Sequence, residues 1–464
     1  MALELQTNLA KIIEAETGQN VYLCYQCVKC TSGCPLAEHF DLTPNQVMRA
    51  VQLGREELVL NSRTIWLCAS CQTCTTRCPQ GLDIAGIMDE LRIEARRRGL
   101  QPQVPEVALF SEVFLRGINY LGRLYELGLM AELNLRTHQP FKDLPMGLEM
   151  IRKGKIKLFP RLVRYPRQVK RVEPRPNQIA YYPGCALHSS ASELDASTRA
   201  VCRELGLDLV EPRGWVCCGS SPAHSTDHLL ATALPIKNLA LIERSGFKEV
   251  TAPCIACFSR FKAALYAIHH EPELKARVDQ EVGYAYQDMV QVLSLLDLMV
   301  DRVGLPAIAD KVKNPLRGLK VVSYYGCLLT RPPRVTGAKH PEYPMAMDRV
   351  MEALGAESLD WCSKTDCCGA NLSLIRTELA LELSHRILDD AHAVGAEAIV
   401  VGCPLCQANL DGRQQQMDLD YELPILYFTQ LMALAFGLGD KATAFNKNMV
   451  DPRALLSSKG LLAR

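Results

Sequence analysis

Trp215-Val216-Cys217-Cys218-Gly219-Ser220 returns 150 positions later as Thr365-Asp366-Cys367-Cys368-Gly369-Ala370. The echo extends both ways. Upstream, Tyr181-Tyr182-Pro183-Gly184-Cys185 matches Ser323-Tyr324-Tyr325-Gly326-Cys327. Downstream, Pro253-Cys254-Ile255-Ala256-Cys257 matches Gly402-Cys403-Pro404-Leu405-Cys406. Five cysteines recur in one order, so the C-terminal half is an internal duplication. Each copy alternates short β-rich runs (179–182 and 249–251; 319–325 and 398–401) with helical ones (193–205 and 229–242; 345–354 and 376–393). That alternation predicts a parallel α/β lobe, twice. The cysteines fall beyond the carboxyl ends of the strands, where such sheets place cofactors. Helices starting just after Cys257 and Cys406 are expected to aim amide N–H groups at an anionic group there.

Adjacent cysteines on an extended backbone point in different directions, which suits an irregular metal–sulfur group. Gly219 and Gly369 permit the tight backbone this requires. Reading C-x-x-C as a redox pair and the doublets as core cysteines leaves the repetition unexplained.

The N-terminal cysteines form a second kind of pair. Cys24, Cys27, Cys30, Cys34 and Cys68, Cys71, Cys74, Cys78 each run C-x2-C-x2-C-x3-C, followed by Pro35 and Pro79. This is the spacing of bacterial two-cluster ferredoxins, in which the fourth cysteine ligates the other cluster. It assigns Cys24, Cys27, Cys30 and Cys78 to one cubane, and Cys68, Cys71, Cys74 and Cys34 to the other. The prolines end each loop. A disulfide framework suits small secreted scaffolds, and zinc ribbons use pairs of C-x2-C without this run. Helical patterns over 1–20, 44–60, 84–98 and 102–147 predict a helical module. Of 20 cysteines only Cys202 and Cys362 match no ligand position.

These residues carry a resemblance to the heterodisulfide reductase family. The two Cys-Cys-Gly repeats look like its B subunit, and the first hundred residues look like its C subunit, as though the two were fused. The implied fold is an α+β/α/β multidomain chain: a helical two-[4Fe-4S] ferredoxin-like module (1–100), a helical connector and basic linker (101–176), and two Rossmann-like CCG lobes (177–315 and 316–464). The resemblance implies four [4Fe-4S] clusters, two cubane and two noncubane. Cys185, Cys217, Cys218, Cys254 and Cys257 would hold one noncubane cluster; Cys327, Cys367, Cys368, Cys403 and Cys406 would hold the other. The two would face each other across a cleft and split a disulfide, with Cys217, Cys218, Cys367 and Cys368 at the substrate. Implied partners are a flavoprotein resembling the family's A subunit within a larger multi-subunit complex, and a small-molecule disulfide or soluble electron carrier. Two other roles share these motifs. One is an electron-transfer subunit of a flavin-based bifurcating complex such as a tungsten benzoyl-CoA reductase. The other is the iron–sulfur subunit of a glycolate, lactate, glycerol-3-phosphate or succinate oxidoreductase.

At 464 residues the chain has room for about three domains. A net charge of +1 argues against a nucleic-acid surface. Abundant thiols outside any disulfide framework point to a reducing, cytoplasmic compartment. Met1-Ala2-Leu3-Glu4-Leu5 lacks a signal-peptide pattern. The apolar runs 292–300 and 431–438 are too short to span a bilayer, so no direct membrane span is expected. A chain of this kind serving a quinone pool would need another subunit to supply the membrane part. No G-x-G-x-x-G follows a strand and no Walker A sequence occurs, so electrons are expected to arrive from a partner. His188 and His224 flank cysteine loops. His224 could hydrogen-bond a cluster sulfur or protonate a leaving thiolate, or act as a plain loop residue; His269 and His270 read as surface. The stretch 151–176 carries ten basic residues and one acidic one, Glu173. It reads as a solvated linker or as a docking segment for an acidic partner subunit.

Overall fold

The computed structural model describes residues 8–462. The N-terminal module is built from helices Asn8–Thr17, Pro44–Gln52, Glu56–Leu60 and Ile84–Arg97, with the two cysteine loops between them. Residues 1–7 of the expected first helix lie outside the described residues. The helix expected over 44–60 is broken in two, because Gly54 takes φ +69° and ends the first half. Thr43 and Gln46 start that half with a reciprocal capping box. Asp83 starts Ile84–Arg97 by accepting a hydrogen bond from the Gly86 N–H at 2.9 Å.

Helix Ile84–Arg97 buries charged as well as apolar side chains, Asp89, Glu90, Arg92 and Glu94 among them. Buried charges are tolerated where they are paired. Here Arg92 lies 3.2 Å from Asp89, and further partners of Asp89 and Glu90 come from elsewhere in the chain. Helices Pro105–Leu121, Glu126–Arg136 and Leu144–Arg152 form the connector.

Residues 153–177 have no regular element, yet they are not a free linker. The Val163 N–H donates to Leu121 O at 2.9 Å and the Val172 N–H to Ser245 O at 3.0 Å. Lys155 is buried and paired with Glu193. The basic stretch is therefore a strap laid over the first lobe, with most of its other cations exposed.

Each lobe is a four-stranded, all-parallel sheet. The first contains β1 (Gln178–Tyr181), β2 (Asp208–Val210), β3 (Glu249–Ala252) and β4 (Gln291–Ser294) in the order β2-β1-β3-β4. The second contains β5 (Lys320–Tyr324), β6 (Glu357–Ser358), β7 (Ala398–Val401) and β8 (Ile425–Tyr427) in the order β6-β5-β7-β8. The duplication read in the sequence is thus a duplication of topology. The edge strands β4 and β8 carry no separate signal in the sequence. Each runs straight into a helix, so its apolar residues merge with those of the helix into one continuous run. The lobes share one hydrophobic core, and Ser197 and Thr429 hydrogen-bond between them at 2.7 Å. Among the described residues no helix is long and apolar enough to cross a membrane.

Candidate metal centres and the cavity beside them

Both N-terminal loops turn around their second cysteine in the same strained way. Gln26 and Val28 flank Cys27 at φ +62° and +66°; Ser70 and Gln72 flank Cys71 at +51° and +63°. Positive φ is a true outlier for a β-branched residue such as Val28. Such strain costs on the order of 1–3 kcal/mol per residue and survives where the surroundings dictate it. The fold brings cysteines of the two loops near one another. Cys34 lines one small space, of about 20 Å³, with Cys68, Cys71 and Cys74. Cys24 lies near Cys30, and Cys27 and Cys78 both act on Tyr25. Burial pushes the Cys68 thiol up to about 11 and raises those of Cys34 and Cys74 as well. Sulfurs packed this way are costly as free thiolates and well matched to a metal that replaces their protons.

The lobes build their sulfur sets with repeated devices. Gly184 and Gly326, each just before the first cysteine, sit at φ +73° and +67°. A Cβ there would lie 2.9 Å from Cys257 Sγ and 3.0 Å from Cys406 Sγ. Tyr182 donates its hydroxyl to Val216 O at 2.7 Å and Tyr324 to Asp366 O at 2.6 Å, fixing the residue before each doublet. Gly219 and Gly369 take φ +85° and +73°, as the doublets require. The helices after β3 and β7 begin at Ile255 and Pro404, not after Cys257 and Cys406. Cys254 and Cys403 are therefore the N-cap residues, and the second cysteine of each pair lies in the first turn. Cys218 Sγ lies 3.3 Å from Cys257 Sγ. Hydrogen bonds from Cys217 and Cys257 pull the Cys218 thiol well down; one from Cys406 does the same, less strongly, for Cys368. Among the described residues no three His, Cys, Asp or Glu side chains close on a single point as one ion would need.

The two lobes use their sulfurs differently. All five first-lobe cysteines line an apolar cavity of about 240 Å³, walled also by connector helices and by the second lobe. The second-lobe cysteines line a separate space of about 40 Å³, which Ala69 of the helical module and Ile255 of the first lobe also border. Ala256, Ala370, Asn371 and Leu405 line both spaces, so the two spaces are neighbours with a shared wall. Cys71 of the helical module lies against Cys367, and each shifts the other's thiol.

The charged groups in the cavity lining are already engaged. Lys155 pairs with buried Glu193. Arg413 forms two bonds to Asp143, at 3.1 and 3.0 Å. Glu126 accepts from Ser190 at 2.8 Å, and burial raises its carboxyl to about 6.

His224 stands on a carboxylate rather than a sulfur. Its Nδ1 is 2.7 Å from Asp89 Oδ2, joining the helical module to the first lobe, and His228 pairs likewise with Glu90 at 2.8 Å. His188 lies 3.2 Å from Glu211, and His269 is exposed and bonded to Asp288. Asn371 has a role that no motif announces: its amide donates to Ala69 O at 2.7 Å and its oxygen accepts from Ser221 at 2.8 Å. The only hint in the sequence is its place two residues after the second Cys-Cys-Gly.

Comparison with known proteins gives matching assignments. A 4Fe-4S dicluster domain family matches residues 23–83, and the cysteine-rich CCG domain family matches 179–262 and again 321–411. The membrane anchor subunit of the 8-methylmenaquinol:fumarate reductase of Wolinella succinogenes is 31% identical over 60% of this chain and 99% of its own length. The B subunit of a ferredoxin:CoB-CoM heterodisulfide reductase of Methanosarcina mazei is 27% identical over 59% of this chain and 94% of its own. The D subunit of a dihydromethanophenazine:CoB–CoM heterodisulfide reductase of Methanosarcina acetivorans is 26% identical over 55% of this chain and 59% of its own. The crystal structure of a hypothetical protein from Helicobacter pylori shares the fold, with TM-score 0.51 and 11% identity over 70% of this chain and 60% of that one.

Proposed function

The chain belongs to the heterodisulfide reductase family of iron–sulfur electron-transfer subunits, and from that premise we propose that it is a relay ending in a two-electron reaction at the first-lobe cavity. Four [4Fe-4S] clusters, about 16 irons per chain, would supply one-electron storage and transfer. Two would be cubanes on Cys24, Cys27, Cys30 and Cys78, and on Cys68, Cys71, Cys74 and Cys34. Two would be noncubane, on the five-cysteine sets of the lobes. Electrons would enter from a flavoprotein partner in a larger complex and reach the cavity through the second lobe. The carrying observation is the contact of Cys71 with Cys367, followed by the wall shared between the two lobe sulfur sets.

The reaction is R–S–S–R′ + 2e⁻ + 2H⁺ → RSH + R′SH. The residues of this chain hold the two sulfur sets face to face, shed water through the apolar lining and admit the substrate beside Cys185 and Cys217. Cys217→Ala and Cys367→Ala are each expected to abolish turnover while the cubane EPR signals persist and still reduce. Full activity in either variant with an artificial disulfide and a flavoprotein donor would sink this reading.

One observation favours a second acceptor. The cations of the lining, Lys155 and Arg413, are both ion-paired, so the cavity offers no free charge to an anionic disulfide. A neutral two-electron acceptor such as a quinone suits it as well. Competition between a quinone analogue and an aliphatic disulfide for one site separates the two acceptors.

A further inference from the structure

Helix Leu144–Arg152 is apolar on two opposite faces. Met146 and Met150, spaced i and i+4, look inward and line the cavity. Leu144, Leu148 and Ile151, at i, i+4 and i+7, form a stripe on the far side and are 46%, 58% and 37% exposed. An outward apolar stripe rimmed by polar residues marks a surface that meets a partner or a membrane. Among the described residues only its inner face is covered.

Exposed apolar residues continue along the sequence into the strap. Leu158, Phe159 and Leu162 are 54%, 81% and 60% exposed. They alternate with exposed Arg152, Lys157, Arg161 and Arg164. The whole chain balances 52 basic residues against 51 acidic ones, whereas residues 151–176 hold ten against one. Glu149, the acidic residue of the helix, is engaged with Arg152 at 3.4 Å and Lys153 at 3.9 Å. Exposed leucines and a phenylalanine set among cations are the composition of a surface that lies in a lipid headgroup layer, apolar residues dipped in and cations on anionic phosphates. An acidic protein partner would answer the cations and would leave the outward apolar stripe without a stated complement.

We propose that residues 144–164 dock this chain onto an anionic membrane surface, with helix Leu144–Arg152 lying in the headgroup layer and the cavity directly behind it. The chain then supplies its own membrane contact without crossing the bilayer. This docking is independent of which acceptor the cavity takes, and its test reads binding rather than turnover.

The test is co-sedimentation of the full, anaerobically prepared chain with vesicles. Vesicles containing phosphatidylglycerol should carry the protein down, and phosphatidylcholine alone should retain much less. Leu148→Glu with Phe159→Glu, and separately Arg161→Glu with Arg164→Glu, should each lower the bound fraction by at least about tenfold with iron content unchanged. All four positions are exposed, so either pair can be read if the other misfolds. The proposal is overturned if the wild-type chain stays in the supernatant with phosphatidylglycerol vesicles, or if both variants sediment like wild type. Capture of the segment by an acidic partner protein, with no uptake by vesicles, overturns it equally.

Discussion

Ser221 donates a hydrogen bond to Asn371 Oδ1 at 2.8 Å while the Asn371 amide donates to Ala69 O at 2.7 Å. One side chain thus ties three parts of the molecule together: the second cysteine loop, the first lobe and the second. It does so in the wall that separates the two lobe sulfur sets. Asn371→Leu keeps the volume and leaves both partners unsatisfied, which costs about 1–3 kcal/mol. The expected result is a lower unfolding midpoint and slower internal electron transfer with the iron count intact. Calorimetry and stopped-flow reduction measure the two effects separately; loss of iron in step with stability would contradict it.

Gly326→Ala places a methyl 3.0 Å from Cys406 Sγ at φ +67°. Gly318→Ala imposes similar backbone strain, at φ +77°, with nothing within 4 Å. The first variant should lose about four irons and the second none. Both should pay the left-handed penalty of roughly 1 kcal/mol. Equal iron in the two variants would show that the glycine before Cys327 is there for the turn alone.

Cys78→Ser should damage the centre formed with Cys24, Cys27 and Cys30, despite its sequence proximity to Cys74. The crossover rule demands this, and Cys27 and Cys78 share Tyr25 as a neighbour. EPR of the reduced variant decides the matter. Selective loss of the centre on Cys68, Cys71 and Cys74 would reverse the assignment.

Glu126 gives a pH dependence. Burial raises its carboxyl from 4.5 to about 6 in the folded chain. Between those values the native state holds a proton that the unfolded state has released, so stability falls as pH rises from about 4.5 to 6. Above that window the full cost, at most about 2 kcal/mol, remains. Glu126→Gln keeps an oxygen to accept from Ser190 and removes the charge, so it should raise the unfolding midpoint at neutral pH and leave it unchanged near pH 4. An unchanged midpoint at both values would show that the carboxylate is solvated in the folded chain.

The cysteine spacing and its repetition made the inner strands of the two sheets legible, because the cysteine loops follow their ends and each doublet needed a glycine at positive φ. Assembly of the modules was not legible. It rests on His224 with Asp89, Arg331 with Thr73 and Asn371 with Ala69, pairs separated by 135, 258 and 302 residues. No periodicity encodes such partners. The basic strap was visible as charge, but its cover over the first lobe depends on backbone bonds such as Val172 N–H to Ser245 O, which any sequence could make. The broken helix at Gly54 shows the opposite failure, where apolar spacing outweighed a residue that ends helices.

The second lobe follows the first in the sequence, and the space lined by its cysteines is also bordered by Ala69 of the helical module and Ile255 of the first lobe. On the relay proposed above, this gives the molecule an order of commissioning. A growing chain releases the helical module first and the first lobe second, while the contact of Cys71 with Cys367 awaits the later stretch that carries the second lobe. Until that stretch folds, the half-made protein is an open circuit. Its helical module would then be able to take up electrons before the cavity, part of whose wall the second lobe supplies, is complete. On that relay a nascent chain that meets a stray oxidant would have no continuous conductor to it, and the circuit would close only once the second lobe has folded.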